Sequence, residues 1–208
     1  EGRIGYEQYM AQGFHQWGAN VDNALTYAQN AEPVKVLGVD LVADKRWSDR
    51  LVSEPFFLYG IELGLNGEMG VLARNMLKAQ EARFTSTGIM TITSEDALGV
   101  APHYFYYYCV FCNRKPFVID IVTGNANLDE PRWVSTKASF GWHAIMPSEY
   151  TKKALDLVVS KARDSKGRWA SGVFEKTGES SHSYDINTAS ILLEISAYQL
   201  RGRVPLMK

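Results

Sequence analysis

A mainly α-helical fold is what this sequence predicts, on three observations. Apolar residues recur at helical spacing in several separate stretches. Ser-Glu pairs stand at 53–54, 94–95 and 148–149, where helices would begin. The final stretch, from Asn187 on, is apolar on most of its faces and would need other helices around it.

Taken in order, residues 5–28 read as one long helix, with Tyr6, Met10, Gly13, Phe14, Trp17 and Val21 on a single stripe. Residues 33–52 break that period, and Val34 to Val42 suit a short extended segment. Ser53-Glu54-Pro55 opens a second helix, since Ser can cap and Pro is tolerated in the first turn. It carries Phe56, Phe57, Ile61 and Leu63 and stops near Gly64. A third follows Asn66-Gly67, with Met69, Leu72, Met76 and Ala79 opposite Arg74, Lys78 and Glu81. Thr85 to Thr93 is β-branched and reads as extended. Residues 113–137 read as irregular, with a turn at Gly124 to Asn127. Ser148-Glu149 caps a helix reaching about Arg163, and a loop over 165–185 precedes the last helix, which carries Ile191, Leu192, Ile195 and Tyr198.

The 208 residues suit one well-packed domain. A net charge of −1 with dispersed basic residues speaks against a nucleic acid or an anionic membrane surface as partner. Apolar runs such as Ile191-Leu192-Leu193 fall far short of the ~20 residues of a transmembrane helix. The chain opens Glu1-Gly2-Arg3 rather than with Met, as a processed or excised piece would. Cys109 and Cys112 could form a redox pair or half a zinc site, but their apolar flanks favour two buried thiols. No His spacing suggests a metal, and no phosphate loop, dinucleotide fingerprint or nucleophile elbow is present, so no cofactor is expected.

Chemistry concentrates at Thr93-Ser94-Glu95-Asp96, which is followed by the aromatic run Tyr104 to Tyr108. Adjacent carboxylates beside aromatic faces suit a carbohydrate site, and they equally suit a capped helix start before an aromatic core. Acids also stand at the other expected helix starts, Glu7, Glu54, Glu149 and Asp185, where they complement helix dipoles. Glu7 differs, because among Tyr6 and Tyr9 it needs a partner or a ligand. Trp142 and Trp169 fall at expected loops or element ends, placed either to recognise a ligand or to plug the core. His143 beside Trp142 reads as a structural histidine or a catalyst.

Arg3-Ile4-Gly5-Tyr6-Glu7-Gln8-Tyr9, Thr93-Ser94-Glu95-Asp96 before Ala101-Pro102, Phe140-Gly141-Trp142-His143-Ala144 and the closing Asn187-Thr188-Ala189 helix occur in that order. Together they resemble an uncharacterised bacterial domain family grouped with the six-hairpin, glucoamylase-like glycosidases, over about Arg3 to Leu206. The resemblance implies an α/α toroid with inner helices aimed at a central cleft, a glycan substrate, and a periplasmic or secreted setting. Twelve helices would not fit in this length, so the expectation is an incomplete ring or the C-terminal part of a larger one. Where the family pattern has an acidic-basic pair, this chain has Gly99-Val100, which bears on catalysis more than on binding.

The leading expectation is a glycoside hydrolase or glycan-processing domain. Glu95 or Asp96 would supply one carboxylate and Glu7 its partner across the cleft, with Tyr104, Trp142 and Trp169 stacking on sugars. Trp17, Tyr107, His143 and Glu175 complete the expected substrate-binding set. A non-catalytic glycan-binding or scaffolding domain, and a module that buries its aromatics on a partner chain, are the alternatives.

Overall fold

The computed structural model describes residues 3–46, 49–99, 104–121 and 132–207, with the backbone alone at 104–106 and 121. The turn expected at 124–127 lies outside the described residues.

The described residues form seven helices and seven strands, interspersed along the chain. α1 (Tyr6–Gln16) and the short α2 (Asp22–Leu25) precede a hairpin of β1 (Ala31–Val36) and β2 (Val39–Asp44). Next come α3 (Glu54–Glu62) and the long α4 (Gly67–Thr87). A three-stranded antiparallel sheet then forms from β3 (Glu95–Leu98), β4 (Tyr104–Cys112) and β5 (Lys115–Ile121). β6 (Trp133–Ser135) leads directly into α5 (Thr136–Ile145), followed by α6 (Glu149–Lys161). β7 (Gly172–Phe174) pairs back with β6, and α7 (Ile186–Leu200) closes the chain.

The expected mainly α-helical toroid is therefore corrected. Of the described residues 45% are helix and 21% strand, a mixed α/β fold with three small antiparallel sheets. The run at 104–112 decides this. Its aromatic and β-branched residues favour a pleated surface, and residues 95–98 and 115–121 supply ladders on either side. Asn113 and Arg114 both take left-handed φ (51° and 61°), as a tight hairpin requires, and Asp49 accepts from both amides at 2.8 and 3.0 Å.

Ser94-Glu95 therefore opens a strand, whereas Ser53-Glu54 and Ser148-Glu149 do precede helices. The first helix also ends early, at Gln16, with Gly18 at φ 82° just beyond it. Residues 85–87 complete α4 rather than extending as a strand.

The core gathers Phe56, Phe57, Tyr108, Trp133 and Trp142, all fully buried. Truncating one such aromatic costs about 3–5 kcal/mol in comparable cores. α5 is central, packing on α3, α6 and α7. A Cβ at Gly141 would lie 2.6 Å from the Phe57 ring, so α5 and α3 approach more closely than any other residue there would permit.

Side-chain partners show that α3 and α7 run side by side in the same direction. Asn187 donates to Glu54 near the two N-termini, and Glu194 meets Glu62 two turns further on. Lys137 in the first turn of α5 reaches both Glu54 and Asn187, so three helix N-termini converge at one point.

Two apolar helical stripes lie outside the core. Met10, Phe14 and Trp17 of α1 are exposed, Trp17 to 90%. On α7, Ile186, Leu193 and Leu200 recur every seven residues and face outward. No helix of the described residues is long and apolar enough to cross a membrane.

Candidate functional site

The N-termini of α5 and α7 and the edge strand β3 enclose a cavity of about 220 Å³, with Glu54 of α3 behind Lys137. It is lined by Glu95, Asp96, Ala97, Lys137, Asp185, Ile186 and Asn187. Exposed Ile186 and Asn187 form its mouth.

Successive residues of a strand point to opposite faces, so Glu95 and Asp96 meet different neighbours. Glu95 turns toward the start of the chain. Tyr6 donates its hydroxyl to Glu95 Oε1 at 2.5 Å, and Arg3 Nη1 lies 3.5 Å from Oε2. Arg3 is itself sandwiched between the faces of Tyr6 and Tyr107, 4.7 and 4.9 Å from the ring centroids. Tyr107 stands directly across the sheet from Glu95. Gly5 makes this corner possible. Its φ is 103°, and a Cβ there would lie 2.8 Å from Pro55.

Asp96 turns inward. Trp133 Nε1 donates to its Oδ2 at 3.1 Å, and Lys137 Nζ lies 3.6 Å from Oδ1. Lys137 also pairs with Glu54 and donates to Asn187 Oδ1 at 2.6 Å. Asp185 caps α7, accepting from the Thr188 amide and from the Ser171 hydroxyl, both at 2.7 Å.

The electrostatics follow from burial. Desolvation, reinforced by the charge of Glu54, raises the Glu95 pKa against the opposing pull of Tyr6, Arg3 and Lys137. Full burial pushes Asp96 up to about 7, although Lys137 and Trp133 favour its charged form. Burial alone would lower Lys137, but Asp96 and Glu54 overcome this and hold it above the usual lysine value. The arrangement is one reachable carboxyl, 14% exposed, backed by a buried carboxylate–ammonium–carboxylate chain. A reachable carboxyl whose pKa is raised by burial is suited to holding or delivering a proton. Among the described residues no group of three or more His, Cys, Asp or Glu is placed to hold a metal ion.

The family model for proteins of unknown function designated DUF3131 matches residues 1–202. The chain belongs to that family. A search of the curated proteins found no match, and a search of the solved structures found none either.

In this DUF3131 chain, of the residues expected from sequence, Glu95 and Asp96 line the cavity and Tyr107 adjoins it through Arg3. Glu7 lies elsewhere, in a two-pronged ion pair with Arg46 at 3.1 and 2.6 Å. The partner it required is that arginine, which also binds Asp44. Trp17 stands exposed at the end of α1, over an apolar hollow with Met10, Gly13 and Phe14. Tyr104 begins β4 opposite Leu98, and its side chain lies outside the described part of the structure.

Trp142 is in a helix, fully buried and edge-on to Phe57, so its ring is not offered to a sugar. His143 Nδ1 lies 3.1 Å from Thr151 Oγ1, and burial, with Arg203 and Lys152 nearby, lowers its pKa. Trp169 packs edge-on against Phe140 beneath Arg163. Glu175 is locked to Arg83 and Tyr108 beside a separate cavity of about 130 Å³. Cys109 and Cys112 are free buried thiols.

Arg3, Tyr6, Glu54, Trp133, Lys137 and Asn187 were not singled out as site residues. Lys137 did carry a signal. It heads the run Ala138 to Trp142, whose residues are apolar or small, and a lysine buried in such company is rarely without acidic partners.

Proposed function

We propose that this chain is a glycan-processing domain that cleaves a poly- or oligosaccharide by acid catalysis, with Glu95 as proton donor. The observation that carries this reading is the Glu95 carboxyl: reachable from the cavity and shifted by burial toward its protonated form. A general acid needs both properties, and such proton transfer contributes about 10²–10⁴-fold to rate. Tyr6 and Arg3 fix the orientation of the carboxyl. In its ionised form, which Lys137 and Trp133 favour, Asp96 supplies negative charge toward an oxocarbenium-like centre. The cavity walls offer an amide, an ammonium group and carboxylates, which are the groups that bond sugar hydroxyls.

One observation favours a second reading, a glycan-binding domain without turnover. Asp96 is 3% exposed and held by Trp133 and Lys137, which suits a structural charge better than a group that must engage the substrate.

Product release from bacterial and plant glucans, compared between the native chain and Glu95→Gln, separates the two. Hydrolysis predicts release that falls about 10²-fold or more in the variant while folding is retained. Binding without release supports the second reading. Release unchanged by the substitution removes Glu95 from the chemistry.

A further inference from the structure

α6 and α7 both reach the surface, and they present different faces to water. The outer face of α6 carries Glu149, Lys152, Lys153, Asp156 and Lys161, as a solvated helix should. No exposed residue of α7 is charged, in a chain of which 22% is Asp, Glu, Lys or Arg. The one carboxyl of α7, Glu194, is half-buried and turned toward Glu62 of α3. Ile186, Leu193 and Leu200 stand out instead, at 84, 73 and 89% exposure. Their spacing of seven is that of a seam between two helices.

This face also reads the same in both directions. Three and four residues from Leu193 stand Ser190 and Ala189 on one side, and Ser196 and Ala197 on the other, all exposed. Seven residues away stand Ile186 and Leu200. A two-fold interface sets one surface against itself, so a helix that meets its own copy antiparallel must match about the axis. Small residues beside the central leucine let the two backbones come close. The ends are complementary in charge. Asp185 and Glu95 lie at the N-terminal end of α7, and exposed Arg201 and Arg203 at its C-terminal end.

We propose that α7 is the interface of a homodimer, in which the α7 helices of two copies pack antiparallel about Leu193. Each basic end then meets an acidic one. The three large residues and the four small ones between them expose on the order of 600 Å² per copy, so pairing would bury about 1,200 Å², the lower bound for a stable interface. A second copy fits this face better than a charged partner does, because the face offers such a partner no ion pair along its length. The inference is independent of the glycan reading.

The test is sedimentation equilibrium of the 208-residue chain from ~1 μM to ~1 mM, where a weak dimer forms. The mass should rise with concentration toward twice the 23.3 kDa of one chain. Leu193→Asp sets a charge against its own copy and should weaken the dimer on the order of thirtyfold or more. Leu193 is mostly exposed, so circular dichroism should show the fold retained. Val159→Asp, an equal change on the exposed side of α6, should leave the mass unaltered. Under mild oxidation Leu193→Cys should cross-link to itself. Ile186→Cys should cross-link only when mixed with Leu200→Cys, because two copies of position 186 stand about 21 Å apart in the antiparallel pair. A monomer at every concentration overturns the inference and assigns the face to a different occupant. A dimer insensitive to Leu193→Asp, or one that Val159→Asp dissociates equally, places the contact elsewhere and overturns it too. Self-cross-linking of Ile186→Cys would mean parallel helices and sink the antiparallel arrangement.

Discussion

Glu175 accepts from both terminal nitrogens of Arg83 at 3.0 Å and from the Tyr108 hydroxyl at 2.9 Å, while Arg83 also donates to Thr91. Asp96, buried to a similar degree, shares a single ammonium with Glu54 and leaves one oxygen without a hydrogen bond. In the first cluster one carboxylate meets one guanidinium in a planar fork, so charge and geometry close together. In the second, two carboxylates compete for a point charge, and negative charge is left over beside a cavity. The difference separates a buried ion pair that completes the fold from one suited to chemistry. Full pairing removes any reason for a ligand to enter, and incomplete pairing supplies one.

Three substitutions sharpen that contrast. Lys137→Met strands Glu54 and Asp96 without their cation. It should destabilise the fold by about 3–5 kcal/mol in urea denaturation at neutral pH, as breaking buried pairs commonly does. Adding Asp96→Asn should recover part of the loss, because one stranded charge is gone. Simple additivity in that double variant would break the coupling inferred for the chain of charges.

Glu175→Gln keeps the shape and forfeits the charge. A loss of about 1–3 kcal/mol is expected, with ligand binding at the Glu95 cavity unchanged, measured by denaturation and titration of the same sample. Impaired binding would erase the distinction between the two clusters.

The third effect is on pH dependence and is read as a slope rather than as a stability at one pH. Asp96 has a folded pKa of about 7 against an ordinary 3.8, so the folded state holds its proton more tightly. Its stabilising contribution is then full below pH 3.8 and lost as pH rises through 7. Chemical denaturation across that window should show Asp96→Asn with a flatter decline toward neutral pH than the native chain. An unchanged slope would mean that Asp96 stays ionised and that the cluster carries no stored proton.

Much of the helical framework was legible in the sequence. Ser53-Glu54-Pro55, Asn66-Gly67 and Ser148-Glu149 open α3, α4 and α6 as expected, because a helix start is signalled by a few contiguous residues; of the three, Ser148 makes the side-chain cap bond. The same local logic misread Ser94-Glu95, where pairing with residues 104–107 makes a strand. The outer stripes show the converse. Met10, Phe14 and Trp17 follow a helical period, yet period says only which residues share a face and not what that face meets.

For the site, the sequence by itself determined that Glu95 and Asp96 were the acids to watch, and that Arg3, Tyr6 and Asn187 lay in notable motifs. Only the tertiary structure decided that Glu7 belongs to Arg46, that Trp142 belongs to the core, and that Lys137 sits between Glu54 and Asp96. The physical reason is range. Caps and periods act over three or four residues, whereas the charge balance of a cavity is set by groups as far apart in the chain as Arg3, Glu54, Asp96, Lys137 and Asn187. Their proximity exists only once three helix N-termini have packed together.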